Sequence, residues 1–292
     1  MSDPGVNNKE PQEQSPGRAR TALPLSAEAK GNAPGRGRLN GRKIAVFGGG
    51  QRIVDAATDP VGNGRAMCRL FAREGAMVTV IDIDERAAEE TVLQIQNEGG
   101  KAQALVGDIA NESDVERLLA DATNKMGGLD GLVLNVGIGA GMHLQGSTPE
   151  LWDKVLAVNL KGPMLACRAA LPRMGEGGSV IFISSIASMK AGSRMPAYDA
   201  SKAALAGLMR HVALEAEPKA IRANIVAPGL IDTPLGRLST QGRPSRAKTN
   251  IPGGRQGTGW EIAYAALFLL SGEASYVNGQ ILAVDAGLTS IR

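Results

Sequence analysis

Short runs of consecutive apolar residues alternate with longer amphipathic stretches from residue 43 to the end of the chain. Continuous aliphatic runs of about four to eight residues are typical of strands that are buried on both faces of a parallel sheet. The amphipathic stretches between them repeat apolar residues at helical spacing. The pattern predicts strands at residues 43–47, 77–81, 102–106, 129–134, 180–183, 220–227 and 280–284. We therefore expect an α/β fold with a doubly wound parallel sheet of about seven strands and helices on both faces.

The first 40 residues lack this pattern and are rich in Pro, Gly, Ser, Asn and charged residues. They predict a disordered N-terminal tail over residues 1–40, which leaves residues 41–292 as a single domain. The net charge of +3 is too small to indicate a nucleic-acid partner. No apolar run approaches the ~18 residues of a membrane span, and the tail has no apolar core typical of a secretory signal. We expect a cytoplasmic protein with no membrane partner.

Cys68 and Cys167 stand alone in predicted helices, in no metal-binding or redox spacing. Both are interpreted as small core residues, and no metal site is predicted.

A glycine-rich segment follows the first predicted strand. Gly48 begins it, and Gly62-Asn63-Gly64 opens the next helix after about ten inserted residues at 51–60. A strand, a glycine-rich turn and a helix N-terminus together form a phosphate cradle, because glycines admit a close backbone approach and the helix offers free N–H groups. Asp82 ends the second strand, where an acid can bind a ribose diol. A plain connection with a surface Asp remains the alternative.

A second group of polar residues lies at later strand ends. Tyr198 and Lys202 are four residues apart on one face of a predicted helix. An ammonium about 4 Å from a phenol supplies about 4 kcal/mol toward ionising it, which is enough to make a proton shuttle near neutral pH. Ser184 and Ser185 end the predicted strand at 180–183, thirteen residues earlier. Asn159 stands inside a predicted helix, where Asn is unfavourable and needs a reason.

These motifs, in this order, resemble the short-chain dehydrogenase/reductase family from about residue 42 to residue 288. The resemblance implies a Rossmann-type fold and catalytic roles for Ser185, Tyr198, Lys202 and Asn159. Tyr198 would exchange a proton with the substrate oxygen, Lys202 would lower its pKa and hold the nicotinamide ribose, and Ser185 would bind the substrate oxygen. Asn159 would support a water relay from Lys202; a hydrogen bond to a neighbouring helix is the alternative.

The same resemblance implies a bound NAD. The residues that it assigns to the cofactor are Gly48, Gly62, Asn63, Gly64, Asp82, Ile83, Asp108, Ile109, Asn135, Gly137, Tyr198, Lys202, Pro228, Gly229, Ile231 and Thr233. Asp82 favours NAD, since its carboxylate would repel a 2′-phosphate. NADP remains possible because Arg52 or Arg65 could bind that phosphate. The chain departs from the family pattern at Phe47, where Thr is usual, and in the 51–60 insertion.

The expected function is hydride transfer between NAD(H) and a small-molecule secondary alcohol or ketone by a homotetramer or a dimer. The alternatives are an NADPH-dependent 3-oxoacyl-thioester reductase and, in a different class, a catalytically silent dinucleotide-binding scaffold. Residues 235–258 are predicted to form a mobile substrate loop. It carries five Lys or Arg residues and no acid, so it either attracts an anionic substrate or is merely a solvated basic loop.

Overall fold

A seven-stranded parallel sheet forms the centre of the molecule. The computed structural model describes residues 22–53, 55 and 57–291. The strands of the sheet are β1 (Lys43–Phe47), β2 (Met77–Asp82), β3 (Lys101–Val106), β4 (Leu129–Leu134), β5 (Met174–Ile183), β6 (Arg222–Pro228) and β9 (Ile281–Val284). Their order is β3-β2-β1-β4-β5-β6-β9. The predicted fold class is confirmed, and a short parallel pair, β7 (Ile231–Asp232) with β8 (Gly257–Thr258), lies outside the main sheet.

Helices cover both faces of this sheet. They are α1 (Asn63–Arg73), α2 (Glu85–Asn97), α3 (Glu112–Met126), α4 (Pro149–Leu156), α5 (Gly162–Ala170), α6 (Pro196–Glu215), α7 (Pro234–Gln241) and α8 (Gly259–Leu270). One apolar core joins the sheet to α3, α5 and α6, and a second joins it to α1, α2 and α8. Of the helices in the described part of the chain, none combines the length and the apolar character that crossing a bilayer requires.

Residues 22–40, which we call the strap, are packed against the domain, so the predicted disorder of the tail is wrong over this range. Residues 1–21 lie outside the described residues. Ala29, Ala33 and Leu39 of the strap are buried. A Cβ added at Gly31 would fall 2.1 Å from an atom of the Trp260 ring, so the strap backbone lies directly on that indole. A few apolar anchors placed among polar residues hold the strap, and such sparse anchors leave no periodicity to detect.

A buried carboxylate completes the attachment of the strap. Glu74, at the end of α1, accepts the backbone N–H groups of Arg36 and Arg38 at 2.9 and 3.0 Å. It also pairs with the Arg38 guanidinium at 2.6 Å. Burial alone would raise the pKa of Glu74, but these hydrogen bonds outweigh burial and hold the pKa below its usual range.

Residues 234–256, which we call the lid, also differ from expectation. The predicted loop at 235–258 contains α7, a 3₁₀ turn at Pro244–Arg246 and β8. Thr233 caps α7, since its hydroxyl accepts the Gly236 N–H at 3.0 Å. The Gly, Ser and Thr content predicts a loop, yet Thr followed by Pro at the first helical position is a helix start. The helix start at Thr233 and Pro234 therefore outweighs the loop-like composition of the segment.

The strand order reverses beside β1. The chain passes from β1 outward to β2 and β3, and then returns to β4 on the other side of β1. Ligands of such sheets bind at the carboxyl ends of the strands next to this reversal. Most of the predicted site residues lie at these strand ends or at the start of the segment that follows each strand, while Asn159 lies further along the chain, between α4 and α5.

Candidate active site

The glycine-rich turn after β1 packs closely against the start of α1. Gly48 adopts φ +74°, which a side chain would disfavour. A Cβ added at Gly64 would lie 1.9 Å from the Gly48 carbonyl oxygen and 2.7 Å from the Asn135 amide nitrogen. The Asn135 side chain donates to the same Gly48 carbonyl at 2.8 Å. Gly48, Gly64 and Asn135 therefore form one unit that joins the ends of β1 and β4 to the start of α1.

The insertion at 51–60 leaves this unit intact because one side chain closes the insertion. The Gln51 amide oxygen accepts the Gly62 N–H at 2.7 Å, and its nitrogen donates to the Pro60 carbonyl at 3.2 Å. The last residues before α1 are thus held beside Gln51, and Gly62 is the N-cap of α1. The side chain of Asn63 has a buried amide oxygen that lacks a hydrogen-bond partner among the described residues.

The end of β2 carries two carboxylates. Asp82 accepts the Gly50 N–H at 2.9 Å, and the Asp84 side chain caps α2 by accepting the Ala87 N–H at 3.1 Å. Ile83 between them is exposed. Arg65 is buried, and its Nε donates to Thr91 on α2 at 3.0 Å.

The loop after β3 holds two further predicted residues in different environments. The Asp108 carboxylate accepts the Ala110 N–H at 2.8 Å, and the Asp108 N–H donates to Asp114 at 3.0 Å. The Ile109 side chain is buried in the core and contacts the α5 start, where a Cβ at Gly162 would lie 3.0 Å from it. Only the backbone of Ile109 is therefore suited to meet a cofactor.

A π-helical turn at Ala157–Lys161 separates α4 from α5 and contains Asn159. Such turns inside helices occur frequently at functional sites. The Asn159 side chain is fully buried, accepts the Ile138 N–H at 2.8 Å and donates to the Ile138 carbonyl at 2.9 Å. It also donates to the Ser201 hydroxyl on α6 at 3.0 Å. The hydrogen bond to a neighbouring helix is thus present, together with a local irregularity, and the water relay stays a prediction.

Lys202 is buried between the ends of β4 and β5. Its ammonium donates to the carbonyls of Val136, at 3.1 Å, and Ile183, at 2.9 Å. Gly137 leaves room for it, because a Cβ there would lie 3.0 Å from the Lys202 nitrogen. Burial lowers the pKa of Lys202 from 10.5 to about 8. The group therefore remains mostly protonated at neutral pH.

The side chain of Ser185 interacts with the Tyr198 phenol beside Lys202. Ser185 is fixed at the end of β5, since its hydroxyl also accepts the Ala187 N–H at 3.2 Å. Burial raises the pKa of Tyr198, while the hydrogen bond from Ser185 and the positive charges of Arg243 and Arg246 lower it. The Lys202 ammonium lies 5.8 Å from the centroid of the Tyr198 ring. The structure thus brings the three predicted residues together, and two lid arginines add to the field at the phenol.

The end of β6 supplies the last predicted cofactor residues. Pro228 pairs with Val284 of β9, and the Gly229 N–H donates to the Val284 carbonyl at 2.9 Å. A Cβ at Gly229 would lie 2.6 Å from the Asp285 side chain, so glycine permits this close approach. Ile231 is buried in β7, and Thr233 is the cap of α7 described above.

Sequence reasoning missed the groups that act on the predicted residues. The acceptors of the Lys202 ammonium are backbone carbonyls, which no residue type reveals. Ser184 joins β5 to α6 by donating to the Lys202 carbonyl at 2.9 Å. Gln51 could have been found, since a polar residue that is buried within a polar insertion needs partners.

These residues fit a dinucleotide. The cradle at Gly48 and Gly64 is a space that a single Cβ would fill, and the Asn63 amide oxygen beside it is a buried acceptor without a partner. No group of three or more His, Cys, Asp or Glu side chains within the described ranges could hold a metal ion. Cys68 and Cys167 are buried, and burial raises the pKa of both thiols.

Residues 57–289 match the family model described as enoyl-(acyl carrier protein) reductase. The chain is 34% identical over 262 residues to 2-(S)-hydroxypropyl-CoM dehydrogenase 3 of Xanthobacter autotrophicus, covering 87% of this chain and 99% of the relative. It is also 34% identical over 262 residues to cyclopentanol dehydrogenase of Comamonas sp., with the same coverage of both chains.

A solved structure agrees with these relatives. A short-chain dehydrogenase/reductase from Burkholderia xenovorans superposes with a TM-score of 0.79 at 34% identity, over 87% of this chain and 98% of that one. The chain belongs to the short-chain dehydrogenase/reductase family.

Proposed function

We propose that this protein transfers a hydride between NAD(H) and a secondary alcohol or ketone, with Tyr198, Lys202, Ser185 and Asn159 as its catalytic group. The observation that carries the proposal is that Ser185, the Tyr198 phenol and the buried Lys202 ammonium come together at the end of β5. The relatives named above are dehydrogenases, and the name of one of them specifies a cyclic secondary alcohol.

Tyr198 acts at the substrate oxygen. Because burial raises its pKa, the phenol carries its proton at neutral pH and can donate it to the oxygen of a ketone. In the oxidative direction it accepts the alcohol proton, and the cationic groups around it stabilise the phenolate. Ser185 supplies a second hydrogen bond at the position where negative charge develops. The bound nicotinamide supplies or accepts the hydride.

Lys202 and Asn159 prepare this arrangement. The Lys202 ammonium is held at the junction of β4 and β5, and there it would bind the ribose hydroxyls of the nicotinamide half. Asn159 fixes Ile138, two residues after Val136, and so orients one of the two carbonyls that hold Lys202.

The residues at the end of β2 favour NAD over NADP. Asp82 and Asp84 place two carboxylates where an adenosine ribose is expected, and a 2′-phosphate there would be repelled. The Arg65 side chain is buried against α2 and turned to Thr91. We expect Asp82→Ala to weaken NADH binding far more than NADPH binding, measured by calorimetry. Equal weakening of both would make Asp82 a purely structural residue.

Replacing Tyr198 by Phe tests the enzyme proposal against the scaffold alternative. Tyr198→Phe removes the transferred proton and keeps the ring, so kcat should fall at least about a hundredfold while the Kd for NADH stays unchanged. Turnover of secondary alcohols and ketones is followed by NADH absorbance. A variant as active as the wild type would refute the role of Tyr198.

We also propose that the chain forms a homo-oligomer. A surface of α4, the π-helical turn, α5 and α6 presents the apolar side chains of Leu156, Leu160, Met164 and Leu208. The edge strand β9 exposes Ile281 and Leu282. Exposed apolar surfaces and open strand edges of this kind are usually covered by a partner. Analytical ultracentrifugation measures whether the protein is a dimer or a tetramer.

A further inference from the structure

The lid carries five cations, and the structure divides them by their partners. Arg237 pairs with Asp232, and Arg255 pairs with Glu261. Arg243 and Arg246 pair with no carboxylate within the described part of the chain. Lys248 is exposed. Two guanidinium groups of the lid therefore have no paired carboxylate in these ranges, and Asp232 acts on Arg246 only from a distance.

Arg243 and Arg246 are nevertheless held in place. Arg246 donates to the Gly236 carbonyl at 3.0 Å and to the Thr240 hydroxyl at 2.6 Å, which fixes it against α7. Arg243 donates to the Ser193 carbonyl in the loop that precedes α6. These acceptors use only part of the five N–H donors of each guanidinium. Both side chains retain donors for a further ligand.

The charges of the two arginines act on each other and on Tyr198. Each is partly buried, and burial lowers the pKa of Arg246, with a further lowering from the charge of Arg243. Two adjacent cations that are partly removed from water are unfavourable unless an anion lies between or beside them. Their charges also act on the Tyr198 phenol. The positive charge of Arg243 and Arg246, which no paired carboxylate offsets, therefore acts at the Tyr198 hydroxyl.

The loop that Arg243 contacts lines the same space. Ser193 is hydrogen-bonded to Met195. The Met195 sulfur lies 2.7 Å from the position of a Cβ at Gly139, and the Tyr198 ring lies 3.9 Å from the same position. Arg243 thus connects the lid to the wall beside Tyr198, where the part of a substrate that projects away from the nicotinamide would lie.

We propose that the substrate carries an acidic group, a carboxylate or a phosphate-type oxyanion, which Arg243 and Arg246 bind together. The proposal rests on the proposed function, because it places the alcohol or ketone oxygen at Tyr198. Arginine suits this role, since its planar donors match carboxylate and phosphate oxygens in pairs. A carboxylate and a phosphonate share this chemistry, and matched substrates separate them.

The test compares ketones that differ only in charge. Acetoacetate is compared with methyl acetoacetate, and (2-oxopropyl)phosphonate with its dimethyl ester, each with NADH. Wild-type protein is measured beside Arg243→Gln, Arg246→Gln and the control Lys248→Gln, which removes an exposed lid charge outside the pair. We expect the wild type to prefer the charged member of at least one pair by about tenfold or more in kcat/KM.

Each arginine variant should lose about tenfold more in kcat/KM for the charged ketone than for the neutral member of the same pair, mainly through KM. Lys248→Gln should behave as the wild type does. The proposal is overturned if the wild type shows no preference, or if the variants reduce both members of a pair equally.

A binding measurement separates this proposal from the proposed function. With NADH present, (2-oxopropyl)phosphonate or acetoacetate should raise the melting temperature of the wild type and of Lys248→Gln. The rise should vanish in the double variant of Arg243→Gln and Arg246→Gln. Absence of any rise in the wild type overturns anion binding. A wild-type rate in Tyr198→Phe instead refutes the proposed function and leaves this binding result standing.

Discussion

Lys202 places a positive charge in the interior of the protein. Replacing Lys202 should show how much the burial of this charge lowers the free energy of unfolding. Folding lowers the pKa of Lys202 from 10.5 to about 8 through burial. The unfolded chain therefore binds this proton more tightly than the folded protein does. The charged form is disfavoured in the folded state, by about 3 kcal/mol at pH 7.

The sign of the pH dependence follows from this order of pKa values. Below pH 8 the ammonium is protonated in both states, and the penalty is fully present. Between about pH 8 and pH 10.5 the folded protein has released the proton and the unfolded chain has not, so stability rises with pH. Through Lys202 alone, the free energy of unfolding of the wild type should increase by roughly 2 to 3 kcal/mol from pH 7 to pH 10.

Lys202→Met removes this titration and keeps an unbranched side chain of similar length. Urea unfolding of wild type and variant, at equal protein concentration and several pH values, gives the difference between their free energies. That difference should shift by roughly 2 to 3 kcal/mol in favour of the wild type between pH 7 and pH 10. Lys202→Gln is the matched control, because its side chain is polar but neutral. Its difference from the wild type should change with pH as that of Lys202→Met does, although the size of the difference at any one pH will not be the same. A difference that stays constant with pH would refute the buried-charge argument.

Two further predictions concern the cradle and the strap. Gly64→Ala should reduce NADH affinity at least about tenfold in a calorimetric titration, because its Cβ would meet the Gly48 carbonyl. The control is Gly207→Ala on α6, where an added Cβ meets nothing. This variant should leave the stability of the protein unchanged or raise it by up to about 1 kcal/mol. Glu74→Gln should speed tryptic cleavage after Arg36 and Arg38 by about tenfold or more, since it removes a buried charged acceptor. The strap of the wild type should also detach as pH falls through the lowered pKa of Glu74. If Glu74→Gln were cleaved at the wild-type rate, that result would contradict the attachment.

Most strands could be predicted from the sequence because each contains a short apolar run next to a turn signal, but β5 begins at Met174, six residues before the predicted strand at 180–183, because its first half is polar and rich in glycine. The predicted strand at residues 129–134 agrees with β4, and the prediction at 102–106 starts one residue after β3. The first residue of a helix is harder to predict from the sequence than a strand is. The sequence before α3 holds two possible caps: Ser113 and Glu116 match a capping-box pattern, yet Asn111 caps the helix by accepting the Asp114 N–H at 3.2 Å. Overlapping polar residues offer several caps, and only the three-dimensional path of the chain selects one.

The candidate site was predictable where a residue type carries the chemistry. Tyr198, Ser185 and Lys202 come together as the spacing indicates. The surroundings that set their pKa values were not predictable, because burial and backbone carbonyls decide them. The strap escaped detection for a related reason, since its attachment depends on Glu74 and Trp260, which are distant in sequence and ordinary in type.

The closure of residues 51–60 by Gln51 has a consequence for engineering. One amide side chain holds both ends of the insertion beside the start of α1. A segment whose two ends already meet can change length or composition at a small entropic cost, since loop closure depends only weakly on length. The segment is thus a natural place to graft foreign sequence, such as a peptide that carries a fluorophore. Placed next to the cradle, such a graft would turn the enzyme into an optical sensor for its own cofactor.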